Sequence, residues 1–546
     1  MNSQIKKRGY PDFQDHVAAL EAANLVWRID QPVNKDSELH ALVRWQFRGG
    51  IPESERKAFV FTNVTDSRGR TYDMPVVVGA LAASAEIYRI GMGVPLDEIG
   101  STWIDAINHP IDPMVVTDAP CQEIVIKGKD LTGEGKGLDA LPVPISTPGF
   151  DSAPYLTAAN FITADPDTGV QNMGTYRGGL KASNRMAVRM ATRSGGAGGY
   201  AHWLKYQERG MKMPCVAVLG SPPAIAYNGP QKLPLNVDEL SVAGGLTGEP
   251  IRVVKCLTND LLVPADSEII IEGLVDIELL EAEAPFGESH GHIALEEYNM
   301  IFEVTAITHK KNAMFSSIIS QVTPSESSVI KRVAYEPMFL SHLRDQLGIK
   351  GVRKVVLHEP LTNIRRVIFL VMEPETPKTQ VWRALHGAAS LRADCGKYVI
   401  AVNEDIDPTN TDSVFWSLAY RANPAEDVLI LPNRDGGHGP RGGRKGLDST
   451  MLVDATLKAE MPPLALPKRE YMEHARDLWE KFGLPPLKPE SPWHGYSLGD
   501  WSEEWDELAK EAVAGNYEAN GRRTENMRIS GIKPETLIRD ARKNDD

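Results

Sequence analysis

The chain has 546 residues, and at about 150 residues per domain that length implies three to four domains. Its 59 Lys and Arg against 73 Asp and Glu give a net charge of −14, which argues against a general nucleic-acid binder and against docking on an anionic membrane, because both need a basic face. With 42% hydrophobic and 24% charged residues, the composition is globular, not disordered or collagen-like.

Asp12 is placed to cap a helix, with Asp15 in the first turn and Phe13, Val17 and Leu20 forming an apolar stripe. From Phe59 to Val78 short β-branched runs alternate with turn residues, so residues 1–125 read as a mixed α/β domain. From 126 to 325 short β-rich runs dominate, among them Glu123–Lys127, Cys215–Leu219, Glu268–Glu272 and Ile301–Ile307. Pro and Gly punctuate them, a texture that suggests a barrel or sandwich. Between them, Asn184 to Arg193 looks helical. From 326 to 462 apolar strands at Arg366–Met372, Lys397–Val402 and Asp427–Leu431 flank helical stretches such as Gln380–Leu391, which implies a parallel sheet with crossover helices. Residues 463–546 open with a Pro-rich segment and continue into an arm with Trp493, Trp501 and Trp505 as packing anchors; Ser502 caps a helix there and Gly515 ends it. The residues after about 520 are polar.

Cys121, Cys215, Cys256 and Cys395 sit far apart, so neither a disulfide framework nor a thiolate zinc site is expected. The N-terminus shows no apolar leader region, and the longest largely apolar run, Met74 to Ala85, is too short for the ~20 residues of a spanning helix. The expectation is a soluble cytoplasmic protein with no membrane and no nucleic-acid partner.

Several stretches could carry chemistry. Ser194 to Ala201 contains GxGxxA, but a dinucleotide site needs a strand before it, and the preceding residues read as helix, so the stretch reads as a glycine turn. The loop Asn433 to Gly446 is basic and glycine-rich; it could wrap an anion, but without further context the reading as a solvated surface loop is favoured. Glu281, Glu283 and Glu288 crowd a turn with His290 and His292. Paired or buried carboxylates have raised proton affinity, which makes them proton donors near neutral pH. Acidic turns are usually exposed, but Pro285, Phe286 and Gly287 fix a backbone shape that a solvated turn does not need. Arg177, after Gln171 to Tyr176, could pair with those acids or clamp a carboxylate substrate. Spacing alone supports a carboxylate and arginine acid–base site and no specific reaction.

Four separated segments, taken together, resemble the UbiD-like family of reversible decarboxylases, which includes ferulic acid decarboxylase. They are Asn172 to Arg177, His202 with Met213 to Pro223, Val237 to Glu239, and Glu283 to Glu288. The resemblance extends over most of residues 10–460. It implies an N-terminal α/β domain, a central flavin-binding split β-barrel and a C-terminal α/β domain used for oligomerisation. It also implies prenylated FMN, made by a separate flavin prenyltransferase, with Mn2+ or Mg2+ and with K+ as a further candidate. By the match, Arg177, Glu283 and Glu288 are the catalytic set; Asn172, His202 and Glu239 are the metal ligands, and these with Thr175 and Arg177 bind the cofactor. Arg177 would hold Glu283 ionised, and Glu288, less compensated, would carry the proton that replaces CO2. The family often has a Lys where Thr450 stands, so Lys445, Arg444 or Lys458 are candidates for the flavin phosphate. The loop Tyr227 to Lys232 also differs from ferulic acid decarboxylase. The long C-terminal arm is similar to the subgroup acting on aromatic acids or their CoA thioesters, such as phthaloyl-CoA decarboxylases. The expected partners are therefore an aromatic acid or acyl-CoA, CO2 and further copies of the chain, as a dimer or hexamer. Two other readings are a flavin- or nicotinamide-dependent oxidoreductase using residues 194–201 and a non-catalytic flavin-binding subunit; the intact Arg177, Glu283 and Glu288 set argues against the latter.

Overall fold

The computed structural model describes residues 7–190, 197–231, 233, 237–283, 285–295, 297–392, 395–435, 447–459, 461–492, 499, 501–525, 527–528 and 530. They form two compact units, Met1–Ala401 with Asn423–Asp454, and Val402–Ala422 with Ala455–Asp546.

The first unit opens with the helix Phe13–Ala22. Asp12 accepts the Asp15 N–H as its cap, and Phe13, Val17 and Leu20 face the core as the stripe predicts. The helix lies beside a four-stranded sheet in the order Val26–Ile29, Ala58–Phe61, Val76–Val78, Phe315–Ser317. The last of these strands comes from far along the chain and pairs in parallel with Val76–Val78.

The central sheet runs Gln171–Thr175, Asn160–Ala164, Met213–Leu219, Ile269–Glu283, Glu297–His309, Arg185–Arg189, Arg177–Ala182, Tyr155–Leu156, with Ile124–Lys127 also paired to Glu297–His309. All these pairs are antiparallel. The first strand of that order, Gln171–Thr175, and its last strand but one, Arg177–Ala182, are separated in the chain by Tyr176 alone. Consecutive Cα atoms are about 3.8 Å apart. The sheet therefore curls until its two sides meet at Tyr176.

The segment Asn184 to Arg193 departs from its helical reading: Arg185–Arg189 is a strand. Met186, Ala187 and Val188 are buried between Arg177–Ala182 and Glu297–His309, and sheet pairing overrides a local preference for helix.

The long strand Ile269–Glu283 is broken by a bulge where its register to Glu297–His309 shifts between Val275 and Leu280. The Asp276 carboxylate accepts the N–H groups of Glu278 and Leu279 at 2.9 and 2.8 Å. The carbonyls of Asp276 and Ile277 accept hydrogen bonds from Trp203 and Gln207 at 2.8 and 3.2 Å. The bulge thus seats the helix Gly198–Glu208 against the sheet.

Toward the C-terminus a five-stranded sheet runs Val352–Leu357, Val367–Met372, Tyr398–Asn403, Asp448–Asp454, Val428–Arg434, with the helix Lys378–Ser390 between its second and third strands in sequence. It is mixed, not parallel throughout. Tyr398–Asn403 and Asp448–Asp454 are parallel, but the pair at each end of the order is antiparallel. No helix lies between Val352–Leu357 and Val367–Met372, so those two strands return directly, while most residues between Val428–Arg434 and Asp448–Asp454 lie outside the described residues.

The second unit holds the helices Thr411–Arg421, Arg469–Lys481, Glu503–Val513 and Tyr517–Glu525. Ser502 accepts the Trp505 N–H as cap, and Gly515 takes the left-handed backbone just past the helix end. The helix Arg469–Lys481 lies within the Pro-rich segment, where the sequence reading placed none. Trp501 and Trp505 are about half exposed, so they are not packing anchors within this chain, and Trp493 lies outside the described residues. Among the described residues, no helix is long and apolar enough to cross a membrane, and the four cysteines are buried and form no disulfide.

Candidate active site

The turn at Tyr176 delivers Arg177 to the inside of the first unit. Its guanidinium grips Glu283 bidentately, Nε to Oε1 at 2.9 Å and Nη2 to Oε2 at 2.8 Å, while Nη1 donates to Oε1 of Glu288. Glu283 ends the strand Ile269–Glu283 and is fully buried, and Asn299 also donates to its Oε2, at 3.0 Å. Burial opposes the charge on Arg177, but Glu288 and then Glu283 outweigh it and raise its pKa above the ordinary arginine value.

The Phe286 ring explains the turn between the two acids. The guanidinium of Arg177 sits 4.5 Å above it, and the Tyr155 ring packs against it at 4.2 Å. Burial, then the neighbouring Glu283 charge, pushes the Tyr155 hydroxyl well above its usual pKa, so it stays protonated. At Gly287 any Cβ would collide with Oγ1 of Thr147, and its N–H is held by Asp151 at 2.8 Å. The acidic turn is therefore built inward, and Glu283 and Glu288 are both buried.

Glu288 is more compensated than the sequence reading expects. Arg189 donates from Nη1 to the same Oε1 at 2.7 Å, so two guanidinium groups meet on one carboxylate oxygen. That environment favours the ionised form. Arg189, Asn299 and Tyr155 carry no local sequence signal; Arg189 and Tyr155 lie about a hundred or more positions from the acid each serves, and Asn299 lies on the strand paired with that of Glu283.

Beyond Arg177 and Glu288 lies a cavity of about 1120 Å³, whose wall includes Asn172, Thr175, His202 and Glu239. His202, on the helix Gly198–Glu208, is hydrogen-bonded through Nδ1 to Oγ1 of Thr163 at 2.9 Å, which leaves Nε2 available. Burial lowers its pKa, so the imidazole is neutral, the form that binds metals. Glu239 opens the helix Glu239–Thr247, and its Oε2 accepts the Met173 N–H at 2.8 Å. Burial pushes its carboxyl up to about 7. The Asn172 side chain lies at the start of the His202 helix, where a Cβ on Gly198 would collide with it. Thr175 donates to Asn160 at 3.0 Å. The buried Nε2 of Gln231, also on the cavity wall, has no hydrogen-bond partner among the described residues, a donor that a ligand would satisfy. One uncompensated carboxylate, one neutral imidazole and one amide suit a hard divalent cation beside a phosphate, and the volume suits a flavin with a small acid. Among the described residues, no cluster of three or more His, Cys, Asp and Glu side chains is placed to hold a metal, so any site here depends on the Asn172 amide.

Thr450 is buried, donates to the carbonyl of Gly396 at 2.6 Å and is not on the cavity wall. Lys458 donates to the carbonyls of Arg421 and Thr456. Arg444 and Lys445, like most of the 433–446 loop and residues 194–196, lie outside the described residues. Contrary to the sequence reading, a strand, Arg185–Arg189, does precede the glycine-rich stretch. Both its neighbours run antiparallel to it, so it belongs to no parallel βαβ unit of the kind that binds dinucleotides.

Three domain models of one family match the chain in order. The 3-octaprenyl-4-hydroxybenzoate carboxy-lyase N-terminal domain matches residues 17–107, its Rift-related domain matches 114–322 and its C-terminal domain matches 329–455. Among solved structures, the UbiD-class enzyme HmfF from Pelotomaculum thermopropionicum in complex with FMN superposes with a TM-score of 0.74 at 26% identity, covering 85% of this chain and 99% of that one. An evolved dimeric form of HmfF in complex with prenylated FMN gives 0.72 at 26% identity, covering 84% and 97%. Vanillic acid decarboxylase of Sedimentibacter hydroxybenzoicus in its open form shares the fold, with a TM-score of 0.70 at 23% identity, covering 93% of this chain and all of that one.

Proposed function

This chain belongs to the UbiD family of carboxy-lyases, and from that premise we propose that it is a prenylated-FMN-dependent decarboxylase, or in reverse a carboxylase, of an aromatic acid or its CoA thioester. The observation that carries the reading is the buried Arg177, Glu283 and Glu288 cluster at the wall of a flavin-sized cavity. The curled central sheet is read as the split β-barrel that houses the flavin, within domains of 1–125, 126–325, 326–462 and 463–546.

Loss of CO2 leaves an electron pair on carbon, and the modified flavin supplies the sink for it when bound. The chain's own residues do the rest. Arg177 orients the Glu283 carboxyl group through its two-point grip. Glu288 reaches the cavity and delivers the proton to the carbon that lost CO2. Asn172, His202 and Glu239 would hold Mn2+ or Mg2+, His202 through its available Nε2, and the cation would offset the charge of the flavin phosphate; K+ is a second candidate ion. Thr175 completes the cofactor wall. A flavin prenyltransferase supplies the cofactor.

The test is to co-express the protein with a flavin prenyltransferase, identify its cofactor by mass spectrometry, and measure CO2 release from aromatic acids and their CoA thioesters. Glu288→Gln keeps the side-chain shape and removes the transferable proton. It is expected to retain the flavin, to lose about 10²–10⁴-fold in kcat, and to stop exchange of the product's ring proton with deuterated water. Turnover of the variant near the wild-type rate would overturn the assignment of the proton donor.

A further inference from the structure

Arg177 and Arg189 stand directly opposite one another on adjacent strands. Like charges in that position repel. Here both are directed to Oε1 of Glu288. Arg189 is not committed to Glu288 alone: its Nη2 lies 2.8 Å from Oε2 of Glu297, the first residue of the strand Glu297–His309. Exposure rises along this line, from 10% for the Glu288 side chain through 22% for Arg189 to 55% for Glu297. A single guanidinium thus joins a buried acid to a half-exposed carboxylate, and all three side chains line the cavity.

Other charged groups surround Glu288. Glu283 is held by Arg177, and Asp151 is tied to the Gly287 N–H. His290 and His292 lie on the same turn, and the His292 carbonyl accepts the Glu288 N–H at 3.0 Å. On the neighbouring strands, Lys181 donates to the carbonyl of Ala282 and Arg185 pairs with Glu281.

We propose that Arg189 is a positioning residue that shifts its weight between Glu288 and Glu297 during turnover. This rests on Glu288 being the proton donor. When the bond to CO2 breaks, its electron pair stays on the ring carbon and takes the proton of Glu288, leaving a carboxylate. Arg189 then stabilises that carboxylate. Drawn toward Glu297, it releases Glu288 to take the next proton from water.

The arrangement gives opposite signs for two substitutions. Decarboxylation needs protonated Glu288, so kcat falls on the alkaline side as Glu288 ionises. Without Arg189, Glu288 loses one guanidinium partner and holds its proton to higher pH. Arg189→Gln is therefore expected to move the alkaline limb of kcat up by about one pH unit, and Arg189→Lys, which keeps the charge, by less. Glu297→Gln removes the rival for Arg189 and is expected to move the limb down by a few tenths of a unit, because Glu297 is screened by water. General loosening of the site would not yield opposite displacements.

The experiment is kcat against pH for the flavin-loaded wild type, Arg189→Gln, Arg189→Lys and Glu297→Gln, with Glu288→Gln alongside. The inference is overturned if Glu288→Gln is inactive while the limb stays in place or moves the same way in the Arg189→Gln and Glu297→Gln variants. If Glu288→Gln remains active, the proton-donor reading fails and the inference fails with it. Should Arg189→Gln not fold, the exposed Glu297→Gln decides by the sign of its displacement.

Discussion

At Gly198 the geometry of the proposed metal site depends on a missing side chain. A Cβ there would collide with Oδ1 of Asn172, and the same helix carries His202 one turn later. Gly198→Ala is expected to push Asn172 aside and lower retention of both metal and flavin. His202→Ala, which deletes the imidazole outright, is expected to lose metal and flavin together. Metal analysis and flavin absorbance of purified proteins check both, and full flavin occupancy in a metal-free His202→Ala protein would contradict the ligand assignment. This scale is also where the sequence is least explicit. Arg177 meets acids 106 and 111 positions away, a separation that no local periodicity can signal. The order of the family motifs is what points to Arg177, Glu283 and Glu288 as the expected set. Arg189 and Asn299 escape it, because an arginine in a strand and an asparagine in a strand look like ordinary surface residues until the sheet pairs them across the acids.

Among the elements, the helix Glu326–Ser341 is tied to the rest of the first unit by its first residue. Ser325 and Ser328 form a capping box around its start. The fully buried Glu326 carboxylate accepts the N–H groups of Gly79, Leu81 and Ala82 at 3.0 to 3.4 Å, and that of Ile319 at 3.3 Å. Even with four donors, burial prevails and pushes its pKa up to about 7 from an ordinary 4.5. The folded state therefore holds this proton more tightly than the unfolded state does. Its contribution is full below pH 4.5 and is lost as pH rises to about 7, roughly 3 kcal/mol in all. Glu326→Gln does not titrate, and its amide places a donor against backbone donors, a cost of about 1–3 kcal/mol. Urea unfolding is expected to show the wild type ahead of Glu326→Gln at pH 5 and that lead shrinking or reversing at pH 7.5; a constant gap would rule the account out. Elements governed by local rules were legible in the sequence. The helix Phe13–Ala22 follows from Asp12 and its apolar stripe, and the helix Glu503–Val513 follows from Ser502. Elements governed by long-range pairing were not: Arg185–Arg189 has helix-favouring residues but is a strand because two sheet neighbours claim it, and the antiparallel ends of the C-terminal sheet cannot be read from strand and helix alternation.

Taken as a whole molecule, the chain divides its surface unevenly. The cavity draws its wall from all three family-matched stretches, with Leu81 from the first, Arg177 and Glu288 from the second and Tyr335 from the third, so the site exists only when that unit is assembled. The unit built from Val402–Ala422 and Ala455–Asp546 leaves large apolar side chains in water. Phe415, Tyr420, Phe482 and Tyr517 are more than 60% exposed, and Trp501 and Trp505 are about half exposed with ring centroids 6.4 Å apart. A fully buried aromatic side chain removes about 150–250 Å² from water, and exposed apolar patches above a few hundred Å² mark interaction surfaces. Six such residues lie in this one unit, which makes it the candidate for an interaction surface. The expected occupant is a second copy of the chain, as the family resemblance implies for its C-terminal region. Light scattering at micromolar concentration should therefore give a homo-oligomer, and Trp501→Ser with Trp505→Ser should shift it toward smaller species while the flavin stays bound in the other unit. A monodisperse wild-type monomer would contradict the assignment. An oligomer unaffected by both substitutions would move the interface away from the tryptophans to another part of the chain.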